Sequence, residues 1–305
     1  MKRKLAIVIP YYKIDFFEET LKSVARQSNK NFVLYIGNDA SPHNPLPLIT
    51  KYFNSDQFIY FEYNDNLGNK NLALQWERIL DNVQEEWFQI LGDDDMIANN
   101  FVGEFYKSLP VLEKENITAF KTTHNWIDKN NNLLESFNYK EDFLESVHFI
   151  MKKYSGEVKS SLSENIFATK MWRKFRFQQL PLAWGSDDLA LLQFSGYKRI
   201  FYNMNTKVLV RISTSSISGS SKFDRDKEFA IQIFREKIIL ENTSIFPPIF
   251  INEIIDQYLY KAHVENFPVK YLIAFQVLKR NGIIAFLKTL RKIFYIKKIH
   301  KNQSS

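Results

Sequence analysis

Short apolar runs alternate with amphipathic stretches through the first 100 residues. The apolar runs predict strands at residues 5–10, 32–37, 58–63 and 87–91. Between them, apolar positions recur at three- and four-residue spacing and predict helices at 16–26, 46–53 and 68–80. Strands that alternate with helices are typical of βαβ units. The pattern therefore predicts an α/β fold with a mostly parallel central sheet.

The second half of the chain is less regular and ends in helices. Its pattern predicts strands at 117–121, 165–169, 199–202 and 207–212, with helices at 99–115 and 186–194. The serine-rich segment 213–221 predicts a mobile loop. Beyond it the pattern predicts helices at 225–241, 251–265 and 269–299. We therefore expect a main domain over residues 1–222 and a C-terminal helical region over residues 223–305.

Composition narrows the class of protein. The chain has 305 residues, 45% of them hydrophobic and 25% charged, as in ordinary globular proteins. The absence of cysteine excludes disulfides and thiolate metal sites, and the five histidines are too scattered for a zinc motif. The longest apolar run, residues 5–12, is far shorter than the roughly 20 residues of a membrane-spanning helix.

Positive charge is concentrated in the C-terminal tail. The net charge is +7, yet no acid follows Glu265, and nine lysines and arginines after it leave residues 1–265 at −2. This placement argues against a nucleic-acid groove and favours a local anionic surface. Within residues 283–299, apolar residues recur at helical spacing with cations mostly opposite, which is typical of a helix in a membrane interface. The alternative is that the apolar face packs on the main domain.

Polar residues follow the predicted strands of the first half. Ligands of open α/β sheets bind at the carboxyl ends of strands, so these positions are candidate site residues. Asp93, Asp94 and Asp95 come directly after the predicted buried strand 87–91, with Gly92 between. Three adjacent carboxylates repel one another unless a cation offsets them, and their oxygens suit Mg²⁺ or Mn²⁺. A solvated acidic turn that caps the next helix is the alternative.

Two further groups of residues could carry chemistry in the second half. Asp187 and Asp188 open an apolar helix, where they serve either as helix-start residues after a Ser186 N-cap or as a general base. Trp184 is either a core residue or a flat face for a sugar ring. Arg211 precedes the serine-rich segment and is either a surface residue or a diphosphate ligand.

In combination, these motifs resemble the inverting family 2 glycosyltransferases of the GT-A fold, from about residue 5 to residue 218. The match lies in IVIPYY, in FVLYIGNDASP, in ILGDDDMI, in WGSDDLALL and in VLVRISTSSIS. The resemblance implies a Rossmann-like αβα sandwich with a nucleotide-binding half (1–98), an acceptor-binding half (99–222) and a C-terminal helical extension. The chain departs from the family at Gly92, where many relatives carry Asp, and at Asp187, where Glu is usual.

The resemblance also assigns roles to residues. It implies that Asp188 is the catalytic base and that Asp187 beside it belongs to the catalytic residues. It further implies that Trp184 contacts the acceptor and that Asp94 or Asp95 binds Mg²⁺ or Mn²⁺. The implied donor-binding residues are Pro10, Tyr11, Tyr12, Asp39, Asn66, Lys70, Asp93 and Arg211. Asp39 and Tyr11 would contact the nucleotide base, Asp93 the ribose and Arg211 the diphosphate.

We therefore expect inverting transfer of a hexosyl or N-acetylhexosaminyl group from a nucleotide-diphosphate sugar, with UDP-sugars favoured. The expected acceptor is a saccharide on polyprenyl diphosphate, in bacterial capsule, O-antigen or other surface polysaccharide synthesis. The expected location is cytoplasmic, peripheral on the inner face of the cytoplasmic membrane. One alternative is a sugar nucleotidyltransferase, which the lack of a basic glycine-rich loop disfavours. Another is a non-catalytic membrane-associated scaffold, which the carboxylates at strand ends disfavour.

Overall fold

The computed structural model describes residues 3–214 and 216–303. The chain divides into two compact units, Met1–Phe223 and Asp224–Ser305. Ser215, which belongs to the predicted serine-rich loop, lies outside the described residues. Each unit has its own elements and its own buried apolar residues, and each is described separately below.

A single mixed sheet forms the centre of the first unit. Its strands are β1 (Leu5–Tyr11), β2 (Phe32–Asn38), β3 (Phe58–Glu62), β4 (Trp87–Ile90), β5 (Met96–Ile97), β6 (Ala119–Ile127), β7 (Leu133–Phe137), β8 (Phe143–Glu145), β9 (Asn165–Ala168) and β10 (Arg199–Arg211). The order is β3-β2-β1-β4-β9-β6-β10-β5, with β7 beside β6 and β8 beside β10. The pairs β3-β2, β2-β1, β1-β4 and β6-β10 are parallel, whereas β4-β9, β9-β6, β6-β7, β10-β8 and β10-β5 are antiparallel. The parallel ladders contain most of the paired residues, which confirms the predicted mostly parallel sheet.

Helices of the first unit connect these strands. They are α1 (Phe17–Ala25), α2 (Leu46–Tyr52), α3 (Gly68–Leu80), α4 (Phe101–Lys114), α5 (Ser146–Tyr154), α6 (Thr169–Phe175) and α7 (Ser186–Phe194). Leu5, Ile7 and Ile9 of β1 pack with Phe17 and Leu21 of α1 in the apolar core. Because β1 lies between β2 and β4, all of its residues except Pro10 are buried, as expected for a central parallel strand.

The structure contains several elements that the apolar pattern did not predict. These are β5, β7, β8, α5 and α6, which are two to nine residues long. Four of the five residues of β7 are exposed, so its sequence carries no burial signal. Two predicted strands, 199–202 and 207–212, are parts of β10, which has an irregular register between Asn203 and Lys207. Short, edge or distorted elements lack the periodicity on which such predictions rest.

The second unit consists of α8 (Asp224–Glu241), α9 (Pro248–Val264) and α10 (Leu272–Gln303). The predicted helix 269–299 is not continuous, because Gly282 has φ +80° and breaks α10. Ile293 and Ile296 of the later part are buried, and His300 Nε2 lies 3.0 Å from the Ala262 carbonyl oxygen of α9. Among the residues that the structure describes, no helix combines the length and apolar character needed to cross a membrane.

Candidate active site

The carboxyl ends of β1, β2 and β4 lie side by side because these strands are parallel neighbours. The Asp39 amide donates to the Tyr11 carbonyl oxygen (3.0 Å), which joins the ends of β2 and β1. Asp93 Oδ2 accepts the amides of Tyr12 (2.8 Å) and Lys13 (2.7 Å), which joins the turn after β4 to β1. The strand-end cluster is Tyr12, Asp39, Asp93, Asp94 and Asp95. The structure thus brings these predicted residues to one edge of the sheet.

Tyr11 and Tyr12 occupy different environments. The Tyr11 side chain is fully buried, its ring centroid lies 4.5 Å from that of Phe17, and its hydroxyl donates to the His43 carbonyl oxygen (3.0 Å). Burial also raises the pKa of Tyr11. The Tyr11 ring thus belongs to the core in this arrangement, and its contact with a nucleotide base stays a prediction. Tyr12 is 39% exposed and is the aromatic residue at this edge that remains accessible.

Asp39 is buried at the end of β2 and is held by three donors. The amides of Leu67 and Gly68 donate to Oδ1 and Oδ2, each at 2.8 Å, and the Arg78 guanidinium forms an ion pair with Oδ1. Burial raises the pKa of Asp39, while the two amides and Arg78 oppose that rise. Gly68 is required here, since a Cβ would lie 2.5 Å from Asp39 Oδ2.

Arg78 is a site residue that sequence reasoning missed. Its guanidinium lies 3.6 Å from the centroid of the Tyr63 ring, and Nη1 lies 3.0 Å from Asp65 Oδ1. A signal was present, because a buried carboxylate needs a partner and Arg78 is the one arginine in the sequence between Asp39 and Asp93. Arg78 therefore fixes the orientation of the Asp39 carboxylate.

Three other predicted donor residues lie at or near this edge. Pro10 is partly buried near the end of β1, paired with Gly37 of β2. Asn66 Oδ1 accepts the Asn69 amide (2.7 Å), so this side chain caps the first turn of α3. Lys70 is exposed in that same turn.

The three aspartates after β4 have different partners. Asp93 holds the β1 backbone, whereas Asp95 accepts hydrogen bonds from the Ser163 hydroxyl and the Arg211 amide (2.9 Å). Within residues 3–214 and 216–303, no other residue donates to the Asp94 carboxylate. Burial and then the neighbouring carboxylates raise the pKa of Asp93 and Asp94. Asp94 is thus the carboxylate that the protein leaves available.

The described residues contain no group of three or more His, Cys, Asp or Glu side chains that could hold a metal ion. The cluster nevertheless fits a hard divalent cation that takes its other ligands from a substrate. Mg²⁺ typically binds one or two carboxylates together with substrate phosphates and water. Asp94 supplies such a carboxylate, and a cation there would offset the repulsion that raises the pKa of these aspartates. Asp95, predicted as an alternative ligand, has both oxygens engaged by the protein.

Arg211 lies beneath the aspartate turn, and its guanidinium is fully buried. It donates to the carbonyl oxygens of Asp94 (3.1 Å) and Asp128 (2.8 Å), to Glu19 Oε2 (2.8 Å) and to Asn131 Oδ1 (2.8 Å). In this arrangement its donors are already paired within the protein and shielded from solvent, and the direct contact with a diphosphate stays a prediction. Arg211 holds the backbone that carries Asp94.

A cavity of about 380 Å³ lies next to the start of α7. Three tryptophans contribute to its lining, which are Trp76, Trp126 and Trp184. Asp187 and Asp188 line it as well. Ser186 is the first helical residue rather than the predicted N-cap; Gly185, with φ +86°, occupies the N-cap position. The cavity thus combines flat apolar faces with two carboxylates.

Lys153 of α5 also lines this cavity and is a residue that sequence reasoning missed. Its Nζ forms an ion pair with Asp188 Oδ1, lies 3.8 Å from Asp187 Oδ2 and donates to the Ser160 carbonyl oxygen (3.0 Å). Burial raises the pKa of Asp188, and Lys153 opposes that rise. No sequence signal marked Lys153, because α5 itself was not predicted.

The segment 160–164 joins the cavity to the strand-end cluster. At the cavity end, the Ser160 carbonyl oxygen accepts a hydrogen bond from Lys153 Nζ. Near the other end, the Ser163 hydroxyl donates a hydrogen bond to Asp95 and accepts one from the Gly92 amide (3.1 Å). Gln89 of β4 donates to the Ser163 carbonyl oxygen (2.6 Å). One short segment therefore fixes both groups of carboxylates.

A fully buried ion pair anchors this segment. Glu164 Oε1 accepts from Lys121 Nζ (2.7 Å) and from the Ser161 amide (2.7 Å). The pKa of Glu164 is about 2, because His124, Lys121 and hydrogen bonds outweigh burial. Burial lowers the pKa of His124 to about 4, so its ring is neutral at neutral pH.

The chain matches a family model and a curated relative. The family model, described as glycosyl transferase family 2, matches residues 6–180. An uncharacterized glycosyltransferase of Rickettsia bellii is 26% identical over 139 residues, which are 44% of this chain and 19% of that protein. The chain thus spans about a fifth of the length of this relative.

Solved structures share the fold over nearly the whole chain. S. aureus TarS 1–349 in complex with UDP-GlcNAc has a TM-score of 0.66 and 14% identity, covering 98% of this chain and 92% of that one. Mannosyltransferase PcManGT from Pyrobaculum calidifontis in complex with GDP-Man and Mn²⁺ has a TM-score of 0.57 and 11% identity, covering 97% and 85%. At these identities the likeness concerns the fold, and it confirms the predicted α/β architecture with C-terminal helices.

Proposed function

The chain belongs to glycosyl transferase family 2, and from this premise we propose that it transfers a hexosyl or N-acetylhexosaminyl group from a nucleotide-diphosphate sugar to an acceptor hydroxyl with inversion. The observation that carries the proposal is the joining of two carboxylate sites by the segment 160–164. The strand-end cluster suits a nucleotide donor, and the cavity beside Asp188 suits an acceptor.

The donor binds at the strand-end cluster in this proposal. Asp39 accepts a hydrogen bond from the nucleotide base, and Tyr12 offers it an exposed ring. Asp93 contacts the ribose, while Pro10, Asn66 and Lys70 border the donor. The amides of Leu67 and Gly68 and the Arg78 guanidinium fix the Asp39 carboxylate in one orientation. Oδ1 receives two of these donors and Oδ2 receives the Gly68 amide, so Oδ2 keeps a lone pair for the bond from the base. UDP-sugars are favoured, in keeping with the UDP-GlcNAc complex of TarS.

Asp94 is the residue that would hold Mg²⁺ or Mn²⁺. The ion would supply positive charge beside the diphosphate and so stabilise the leaving nucleoside diphosphate. Arg211 contributes by holding the Asp94 backbone through its carbonyl oxygen. The Mn²⁺ in the mannosyltransferase complex belongs to a protein of the same fold and is in keeping with this assignment.

Asp188 is the proposed general base. The acceptor oxygen forms a bond to the anomeric carbon while the bond from that carbon to the phosphate oxygen breaks. The bonding electrons leave with the nucleoside diphosphate, and the hydroxyl proton passes to Asp188. General base catalysis of this kind typically contributes about 10²- to 10⁴-fold. Attack from the opposite face inverts the anomeric carbon without a covalent sugar–enzyme intermediate.

A saccharide is the proposed acceptor, because aromatic faces such as Trp184 favour contact with sugar rings. We further propose that the saccharide is carried on polyprenyl diphosphate and that the product enters a bacterial surface polysaccharide, such as capsule or O-antigen.

The C-terminal helix is proposed to rest on the inner face of the cytoplasmic membrane. After Gly282, the exposed side of α10 carries both apolar residues and cations. The exposed apolar side chains are Ile283, Ile284, Leu287, Phe294 and Tyr295. Exposed cations of the same part of the helix are Lys288, Arg291, Lys292, Lys298 and Lys301. The two types share one side, whereas the sequence pattern placed them mostly opposite. Such a mixed surface suits an anionic lipid interface.

A panel of nucleotide sugars tests the proposed activity. The purified chain is incubated with UDP-GlcNAc, UDP-glucose or GDP-mannose, Mn²⁺ and bacterial lipid-linked saccharides, and released nucleoside diphosphate and glycosylated product are measured. Product of inverted configuration supports the proposal. Release of pyrophosphate from a nucleoside triphosphate and a sugar phosphate would indicate a nucleotidyltransferase instead. No product across the full panel would favour the scaffold.

A further inference from the structure

The Asp188 carboxylate is held at one oxygen. Lys153 Nζ pairs with Oδ1, while no donor in the described part of the chain is within hydrogen-bond distance of Oδ2. The Asp188 side chain is 14% exposed and lines the cavity. A carboxylate anchored in this way has one oxygen fixed and the other free to accept a proton.

Lys153 is itself held in place by the protein. Its Nζ donates to the Ser160 carbonyl oxygen (3.0 Å), and Ser160 Oγ accepts from Lys121 (2.7 Å). Lys121 in turn pairs with Glu164, and both side chains are fully buried. A long lysine side chain normally loses considerable entropy when it is fixed. Here a buried network fixes it, so the ammonium position is part of the fold.

Charged groups from four segments surround Asp188. They are Asp187 on its own helix, Lys153 from α5, Lys121 and His124 from β6, Glu164 before β9, and the exposed Lys159 at the cavity rim. His124 is neutral, so Lys153 and Lys121 are the cations that balance Asp187, Asp188 and Glu164 here. Without Lys153, these three acids would have Lys121 as their one buried cation. Burial would lower the pKa of Lys153, but Asp188 and Asp187 outweigh it and raise that pKa. Lys153 therefore stays charged.

We propose that Lys153 is a positioning residue of the transfer reaction, which holds Asp188 through Oδ1, favours its ionised form and leaves Oδ2 for the acceptor hydroxyl. This inference rests on the proposed function, in which Asp188 is the base. Opposite charges at such distances typically lower a carboxyl pKa by about 1–3 units. Loss of Lys153 therefore raises the pKa of Asp188, and less of the base is ionised at neutral pH.

The first test needs no substrate. The chain is labelled with ¹³C at the aspartate carboxyl carbons, and the Asp188 resonance, assigned with Asp188→Asn, is titrated by NMR. Lys153→Met and Lys153→Gln remove the charge, Lys153→Arg retains it, and Lys152→Met changes the exposed neighbour on α5. We expect the Asp188 titration to move up by at least about one pH unit in both neutral variants. Lys153→Arg and Lys152→Met should stay near wild type.

The second test follows nucleoside diphosphate release from UDP-GlcNAc, or from the donor that the panel identifies, between pH 5.5 and 9.5. For Lys153→Met we expect about 10-fold slower transfer at pH 7, with recovery toward wild type at pH 9.

An unchanged Asp188 titration, or an equal loss of rate at every pH, overturns the proposal. Unfolding of both neutral variants while Lys153→Arg folds also overturns it, since Lys153 would then be structural. Full transfer by Asp188→Asn instead overturns the base assignment itself.

Discussion

At the scale of single residues, Asp188 is the position at which the proposed chemistry is most directly tested. Asp188→Asn keeps the shape of the side chain and removes the proton acceptor. We expect transfer to fall by about 10²-fold or more, with nearly unchanged affinity for the donor nucleotide. Steady-state kinetics and calorimetric titration of UDP measure the two quantities separately.

Asp187→Asn is the matched control, because Asp187 lines the same cavity one residue earlier. Its Oδ2 is 3.8 Å from Lys153 Nζ, whereas Asp188 makes the closer ion pair. We therefore expect a smaller loss of transfer. Wild-type turnover in Asp188→Asn together with a large loss in Asp187→Asn would assign the base to Asp187.

Asp94 is the residue at which the proposed binding of a divalent cation is tested. Asp94→Ala removes the carboxylate that the protein leaves available, so binding of UDP should no longer be strengthened by Mn²⁺. Calorimetric titration of UDP with and without Mn²⁺ measures this dependence. Asp56→Ala, which removes an exposed carboxylate, is the control and should behave like wild type. Metal-independent affinity in the wild-type protein would contradict the assignment of Asp94.

At the scale of elements, the Lys121–Glu164 pair ties β6 to the segment before β9. Removing one partner leaves an uncompensated buried charge, which typically costs about 3–5 kcal/mol. We expect that loss of unfolding free energy for Glu164→Gln, measured by urea denaturation. Adding Lys121→Met to Glu164→Gln should restore part of the unfolding free energy, because neither residue of the pair then carries a buried charge.

The ion pair between Lys51 of α2 and Glu18 of α1, which lies at the surface, provides the comparison for this cycle. The Lys51 side chain is 58% exposed and that of Glu18 35%, so Lys51→Met should change stability by less than about 1 kcal/mol. If Glu164→Gln were equally harmless, the buried network would not anchor the segment 160–164, and its role in joining the two carboxylate sites would be lost.

At the scale of the whole molecule, the prediction concerns the exposed side of α10. Deletion of residues 282–305 is a poor test, because Ile293 and Ile296 are buried and their loss would disturb the second unit. The triple variant Ile284→Ser, Leu287→Ser and Phe294→Ser changes exposed positions only. We expect the wild-type chain to bind phosphatidylglycerol vesicles at low salt and the triple variant to bind them more weakly, measured by co-sedimentation.

Leu133→Ser with Leu134→Ser is the control for this experiment, since both leucines are exposed on β7 of the first unit. This double variant should bind vesicles like the wild type. Failure of the wild-type chain to bind anionic vesicles at low salt, or equal binding by the triple variant, would contradict the membrane proposal.

Much of this molecule could be predicted from its sequence. The α/β class and the mostly parallel sheet were predicted from the spacing of apolar residues. The predicted helix 68–80 has the same first and last residues as α3. The prediction failed at α5, where only Phe149, Ile150 and Ser146 are buried in nine residues. The pattern also did not show where the Tyr11 ring lies, because a tyrosine in a strand carries no sign of whether its ring faces the core or the site.

By itself, the sequence determined which carboxylates stand at strand and helix ends, since Asp93 to Asp95 directly follow a continuous apolar run. Only the tertiary structure decided their partners. Arg78 and Asp39 are 39 residues apart in the chain, and Lys153 and Asp188 are 35 apart. Such ion pairs depend on how separate elements pack, whereas periodicity records only which side of each element is buried. Packing therefore decided that Asp94 stays available, that Arg211 is enclosed, and that Lys153 holds the proposed base.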